Sequence, residues 1–461
     1  MSNGSDLNRR GFCGGAALTA AAVPLGLVSV QAGAKAMGAT EVAQQATGDT
    51  SIRPFRVNTS EAELADMRRR INATRWPERE TVADTSQGVP LAVMQTLASY
   101  WATGYDWRKC EAKLNALPQF MTEIDGLDIY FIHVRSKHEN ALPIIVTHGW
   151  PGSPIEQLKI IDPLTNPTAH GASASDAFHV VIPAIPGYGF SSRPSMAWGP
   201  DETARAWTEL MRRLGYTKFV AQGGDVGAIV TSMLGEQAPP ELLGIHSNFP
   251  YVVPPAVGKA LRCGDPPSPS FSVDEKRAYE QLVRFTTLHF AYGAMNRTRP
   301  QTLYGLTDPI GLAAWLLDHG DGWGQPAPVQ LSAILGQPVD GHSADGFTRD
   351  DLLDNFTLYY LTNTGISSCR FYWYIKGYAT SINVPAAISI FPGEIYQAPR
   401  SWTATVYHNI IYYSIDEIPK GGHFAAWEQP QLFSEELRKA FKSLRSQARG
   451  QGAGTHETRE S

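Results

Sequence analysis

AQGGDVGAIV, residues 221–230, sets a glycine-crowded turn between an apolar run at Phe219 and Val220 and a helix-like run from Ala228 to Leu234, with Asp225 at its apex. Glycines on both sides allow the close backbone approach that a sharp strand-to-helix turn demands. In the G-x-S-x-G form of this turn the apex is a serine nucleophile. An aspartate here can also serve as an ordinary helix N-cap, which needs no flanking glycines. As a nucleophile it implies different chemistry from serine. A serine that attacked a saturated carbon would leave an ether, which water does not readily cleave. A carboxylate leaves an ester on the enzyme, and a histidine-activated water can hydrolyse it. Asp225 therefore points to an alkyl-carbon electrophile, either an epoxide or an alkyl halide.

The surrounding sequence fits such a turn. Short apolar runs at Ile129–His133, Ile144–Thr147, Val180–Ile182 and Phe219–Ala221 alternate with helical stretches, one of them near Glu202–Leu214. This alternation predicts an α/β fold with a mostly parallel sheet flanked by helices. Residues 251–378 interrupt it with prolines and a mostly helical pattern, and strand-like runs resume at Ala386–Phe391 and Ile410–Ser414. The interruption reads as a helical cap over the carboxyl ends of the strands. Three more segments fall at those ends, where α/β sheets gather their sites. They are Thr147-His148-Gly149-Trp150-Pro151-Gly152, Phe391-Pro392-Gly393-Glu394 and Lys420-Gly421-Gly422-His423-Phe424. With Asp225 they supply a nucleophile, an oxyanion loop, an acid and a base, in the chain order nucleophile, acid, histidine. His423 alone would read as a hydrogen-bonded core histidine; the joint pattern is far more specific.

On these residues the chain resembles the microsomal-type epoxide hydrolases from about Ile52 to Leu444. The resemblance runs through FRVNTSEAELADMRRRINATRWPE, YDWRKCEAKLNALPQF, EIDGLDIYFIHVRS, HGWPGS, GGDVG, TRPQTLYGLTDPIGLAAWLLD, SSCRFYW, FPGEIYQAPRSW and KGGHFAAWEQP. It implies an α/β-hydrolase fold with a mostly parallel central sheet, a helical cap insertion and an N-terminal meander segment. It also implies hydrolysis of a small-molecule epoxide to a vicinal diol through an aspartyl ester, without cofactor or metal. Carried over residue by residue, Asp225 is the nucleophile, His423 the base and Glu394 its acid, in preference to Asp416 and Glu417. Tyr292 and Tyr372 are the cap donors to the epoxide oxygen, with Tyr374 and Tyr378 as near neighbours of the second. The oxyanion site falls to the backbone N–H groups of Trp150 and Val226, within the loop of His148, Gly149 and Pro151. One departure stands out: relatives usually carry tryptophan after the nucleophile, whereas this chain has Val226. A dehalogenase on the same fold is the nearest alternative, and an exported binding protein without catalysis is the alternative from another class.

Composition sets the outer bounds. The chain has 461 residues, 43% of them hydrophobic, and a net charge of −5 with no basic block, so nothing suggests a nucleic-acid partner. Its four cysteines are scattered and form neither a zinc pattern nor a disulfide framework. Arg9-Arg10 precedes a weakly apolar run that ends near Ala32-Gly33-Ala34, the pattern of a twin-arginine signal peptide. The expected product is periplasmic or secreted, with no stable membrane anchor. The expected segments are the signal at 1–34, a linker at 35–51 and the N-terminal segment at 52–123. The core then occupies 124–250 and 379–445 around the cap at 251–378, followed by a disordered tail at 446–461.

Overall fold

The computed structural model describes residues 50–344 and 346–449. The expected signal peptide, the linker up to residue 49 and the tail beyond Arg449 lie outside the described residues. The strands are β1 (Arg53–Pro54), β2 (Gln119–Ile124), β3 (Leu127–Val134), β4 (Leu142–Thr147), β5 (Phe178–Pro183), β6 (Phe219–Gly223), β7 (Leu242–Ser247), β8 (Ala386–Ser389) and β9 (Ile410–Ser414). They form one nine-stranded sheet in the order β1-β2-β3-β5-β4-β6-β7-β8-β9. Pairings from β5 through β9 are parallel, and β1, β2 and β3 add an antiparallel edge. This is an α/β-hydrolase fold with a mostly parallel sheet.

The central strands β6 and β7 are buried along their whole length, as parallel strands covered on both faces must be. The sequence reading missed β7, because Gly244 and His246 break its apolar run. Glycine is needed there: a Cβ at 244 would lie 2.7 Å from the Pro385 carbonyl oxygen. Strands β2 and β3 form a tight hairpin through Asp125 (φ 51°) and Gly126 (φ 78°), the left-handed pair such a turn requires. The hairpin spans the expected boundary at 123/124, so the N-terminal segment shares the core sheet.

Between β7 and β8 the chain builds the cap, from helix Pro255–Cys263 to helix Gly365–Trp373. After β1 the N-terminal segment forms helix Glu61–Asn72, whose start is fixed by a capping box of Ser60 and Glu63. Its next helix, Leu91–Thr103, bonds to the cap. The Trp101 indole N–H donates to Thr357 Oγ1 (3.0 Å), and Tyr100 and Tyr105 donate to Asp350 and Asp354 (2.7 Å each). Order does not end at residue 446 as expected, because a short helix runs from Arg445 to Arg449. The Arg445 guanidinium anchors it, donating to the carbonyls of Ser175, Asp176 and Ala177 and lying 4.3 Å from the Phe178 ring centroid. Cys110, Cys263 and Cys369 are free thiols, and no described helix is long and apolar enough to cross a membrane.

Candidate active site

Strand β6 ends at Gly223, and Gly224 turns the chain into helix Asp225–Gln237. Asp225 sits at φ 49°, a left-handed conformation that costs a non-glycine residue energy and marks a functional turn. Close packing enforces it. A Cβ on Gly227 would lie 2.3 Å from the Thr147 carbonyl oxygen, so only glycine lets the helix start against the end of β4.

The Asp225 carboxylate is held at both ends. Its Oδ1 accepts from the Trp150 backbone N–H at 2.8 Å, and its Oδ2 lies 3.4 Å from His423 Nε2. The second distance is an ion-pair separation, longer than a hydrogen bond. On the other side of the ring, His423 Nδ1 meets Glu394 Oε1 at 2.5 Å, and Glu394 is fully buried. Asp416 and Glu417 are exposed. Burial opposes a charged His423, but Glu394 and Asp225 outweigh it and raise its pKa well above the usual histidine value. Burial also opposes the Asp225 anion, but His423, His319 and the Trp150 N–H outweigh it and lower its pKa.

The oxyanion loop is fixed by its own polar groups. His148 Nε2 accepts from the Ile185 N–H (3.1 Å), so Nδ1 carries the proton and donates to the Gly149 carbonyl (2.9 Å). Burial lowers the His148 pKa to about 4, which keeps this ring neutral and structural. The carbonyls of Pro151 and Gly152 accept from Asn355 Nδ2 (2.8 Å) and the Tyr359 hydroxyl (2.6 Å), tying the loop to the cap. Val226 is the second residue of its helix, and its N–H is one of the first-turn donors without an intrahelical acceptor. The valine side chain forms part of the pocket wall beside the nucleophile.

Tyr292 and Tyr372, from cap helices Ala291–Thr298 and Gly365–Trp373, line the same pocket as Asp225. Their rings pack on Trp150, Tyr292 stacked at 5.1 Å and Tyr372 edge-on at 5.8 Å. Burial, reinforced by the Asp225 charge, raises both phenol pKa values well above the ordinary, so both keep their protons. Tyr374 instead faces a separate hollow with Trp198 and Arg370, while Tyr378 lines the Asp225 pocket and bonds to Arg297.

Two residues of this site escaped the sequence reading. His319 is fully buried, its ring stacked 4.8 Å from that of His423, with Nε2 3.1 Å from the Tyr292 hydroxyl. Burial and the neighbouring His423 charge lower its pKa to about 3. Nothing in LLDHGDGW marks it, because its neighbours come from distant segments. Glu428 accepts from the N–H groups of Gly422 (2.8 Å) and Phe424 (3.0 Å), clasping the histidine loop from both sides. The acid in WEQP, a few residues past the loop, was the available signal. Asp225, His319 and His423 also offer ligand atoms within 4.8 Å of one another, the one grouping among the described residues that could hold a metal ion. Asp225 and His423 already face each other there, and His319 Nε2 faces Tyr292.

Residues 52–157 match the family described as epoxide hydrolase N terminus, and residues 143–270 the alpha/beta hydrolase fold family. A protein of Stigmatella aurantiaca (strain DW4/3-1), provisionally named an epoxide hydrolase, is 48% identical over 401 residues covering 86% of each chain. Epoxide hydrolase 1 of Oryctolagus cuniculus is 35% identical over 413 residues, 85% of this chain and 89% of its own. Among solved structures, juvenile hormone epoxide hydrolase from the silkworm Bombyx mori superposes with a TM-score of 0.74 at 28% identity, covering 87% of this chain and 96% of that one. The Aspergillus niger epoxide hydrolase gives 0.71 at 29% identity, covering 86% and 97%.

Proposed function

The chain belongs to the epoxide hydrolase family, and from that premise we propose that it converts an epoxide and water to a vicinal diol through an ester on Asp225. The observation that carries this reading is the position of the Asp225 carboxylate at a strained apex, with Oδ1 on the Trp150 N–H and Oδ2 beside His423. Oδ2 attacks an epoxide carbon and forms the C–O ester bond as the ring C–O bond breaks. The ring oxygen gains charge and takes a proton or hydrogen bond from Tyr292 and Tyr372, whose neutral phenols face the pocket. With the ester formed, neutral His423 takes a proton from water, oriented and charge-stabilised by Glu394. The resulting hydroxide adds to the ester carbonyl. The oxyanion forms on Oδ1, already at the Trp150 N–H, with the Val226 N–H as its proposed second donor, where such donors act most strongly. Collapse breaks the bond between the carbonyl carbon and Oδ2, and the departing diol oxygen takes the proton back from His423. The proton left on the re-formed Asp225 carboxyl passes to His423 and restores the imidazolium–carboxylate pair, and the proton that His423 released after ring opening restores the tyrosine.

A single turnover with enzyme in excess, run in oxygen-18 water, tests this. The label should enter the peptide carrying Asp225 and not the first diol formed. Label in the first diol would mean direct attack of water on the epoxide. The dehalogenase reading is weaker because a departing halide needs donors. Val226 supplies no indole beside the nucleophile, and the Trp150 indole N–H is engaged by Ser368 Oγ at 3.3 Å.

For localisation, the support is Arg9-Arg10 with Ala32-Gly33-Ala34, read as a signal peptide whose mature product begins near Lys35. Replacing both arginines with lysine should trap the precursor in the cytoplasm; unchanged export would refute the assignment.

A further inference from the structure

The Asp225 pocket is walled mainly by apolar and aromatic side chains, among them Phe249, Tyr251, Phe285 and Phe290. Besides the nucleophile, one lining residue carries a formal charge: Arg297. Its hydrogen-bonding partner is the Tyr378 hydroxyl, at 3.0 Å from Nη1. A guanidinium has five donors in a planar fork, so most of its capacity remains. Some arginines on the surface are paired with carboxylates. Arg108 pairs with Glu61 and Glu111, Arg212 with Glu209 and Glu241, and Arg213 with Glu209. Among the described residues no carboxylate pairs with Arg297. It is half-buried in the wall of an apolar pocket, where an unpaired cation is costly and an arriving anion is bound strongly.

We propose that the pocket takes epoxides bearing a carboxylate remote from the oxirane ring, and that Arg297 binds that carboxylate. This rests on the epoxide hydrolase reading and adds the substrate class. Tyr292 and Arg297 both lie on helix Ala291–Thr298 and both line the pocket, so an oxirane oxygen at the tyrosine and a carboxylate at the arginine share one apolar wall. Glycidate, whose carboxylate adjoins the ring, brings no chain to fill that wall. A chain with a mid-chain epoxide and a terminal carboxylate has apolar carbons for the aromatic wall and an anion for the fork. Tyr378 holds one edge of the guanidinium, and its ring lies 5.1 Å from that of Tyr251, so the cation is braced within the wall.

The test compares a mid-chain epoxy fatty acid with its methyl ester on the full-length enzyme, with styrene oxide as a neutral reference. Native enzyme should favour the acid over the ester in kcat/KM by about tenfold or more, the range of a charge-assisted hydrogen bond. In Arg297→Met that ratio should fall to about one. Arg297→Lys, which keeps the charge and loses the fork, should retain an intermediate ratio, and melting temperatures report whether both variants fold. A native ratio near one, or a preference for the acid that survives in Arg297→Met, would overturn the assignment while leaving epoxide hydrolysis intact. Failure to hydrolyse all three epoxides would instead overturn the reading on which it rests.

Discussion

Asp225 and His423 exchange charge in the course of the proposed cycle, and this makes the two half-reactions respond differently to pH. In the free enzyme two carboxylates support the imidazolium, Glu394 and Asp225. Ester formation removes the Asp225 charge, so the His423 pKa falls and the ring releases the proton it must lack to act as a base. The Asp225 pKa lies below the usual carboxylate value, so the nucleophile stays ionised in moderately acid solution. Acidification should therefore spare ring opening and stall hydrolysis, and the bound ester should accumulate as the pH is lowered. Acid-quenched mass measurements of the Asp225 peptide across a pH series report this; an ester fraction independent of pH would contradict it. The tyrosines act on the other half-reaction. Tyr292→Phe or Tyr372→Phe should slow ester formation by about a hundredfold or more and leave its hydrolysis rate alone, measured by rapid quench. Asp225, Glu394 and His423 were legible because each sits in its own glycine- or proline-marked loop, in a telling order. His319 was not, since a histidine whose partners are His423 and Tyr292 has no local signature.

The strand-to-helix elbow is the element on which the site depends. Its tolerance is set by the missing side chain at Gly227, which faces the Thr147 and His148 carbonyl oxygens at 2.3 and 2.6 Å from an added Cβ. Both neighbours are backbone, so neither can rotate aside. Gly227→Ala should lower stability by about 1–3 kcal/mol, as overpacking does. It should also lower activity, because the same shift moves the Trp150 N–H away from Asp225. Denaturant unfolding and steady-state kinetics check the two parts, and an alanine variant with native values in both would refute the packing argument. The elements framing this elbow, β4 and β6, announced themselves as apolar runs. Strand β7 did not, because its neighbours dictate a glycine that propensity reads as a break, and the expected boundary at 123/124 cut into the last residue of β2.

At the scale of the whole molecule, the N-terminal helices fasten the cap to the rest of the chain. Asp354 lies at that junction, accepting from the Tyr105 hydroxyl at 2.7 Å, with Lys113 at 3.5 Å. Burial raises its pKa to about 6, against an unfolded value of about 3.9. The folded state thus binds this proton more tightly, and the associated stability is lost as pH rises from about 4 through 6. Asp354→Asn keeps an acceptor for Tyr105 and removes the buried charge. It should raise the melting temperature at pH 7 and change it little at pH 4; a fall at pH 7 would show that Lys113 and Tyr105 overcompensate the burial. This fastening was invisible in the sequence, where residues 52–123 were expected only as an N-terminal segment distinct from the cap at 251–378. The cap insertion has a further consequence, for biosynthesis. Strand β7 emerges from the ribosome before the cap, while its partner β8 emerges after it. Until then one edge of a fully buried strand stays open, an invitation to pair with another chain. Fragments that stop within the cap should therefore aggregate during synthesis, and only a nascent chain long enough to supply β8 closes that edge.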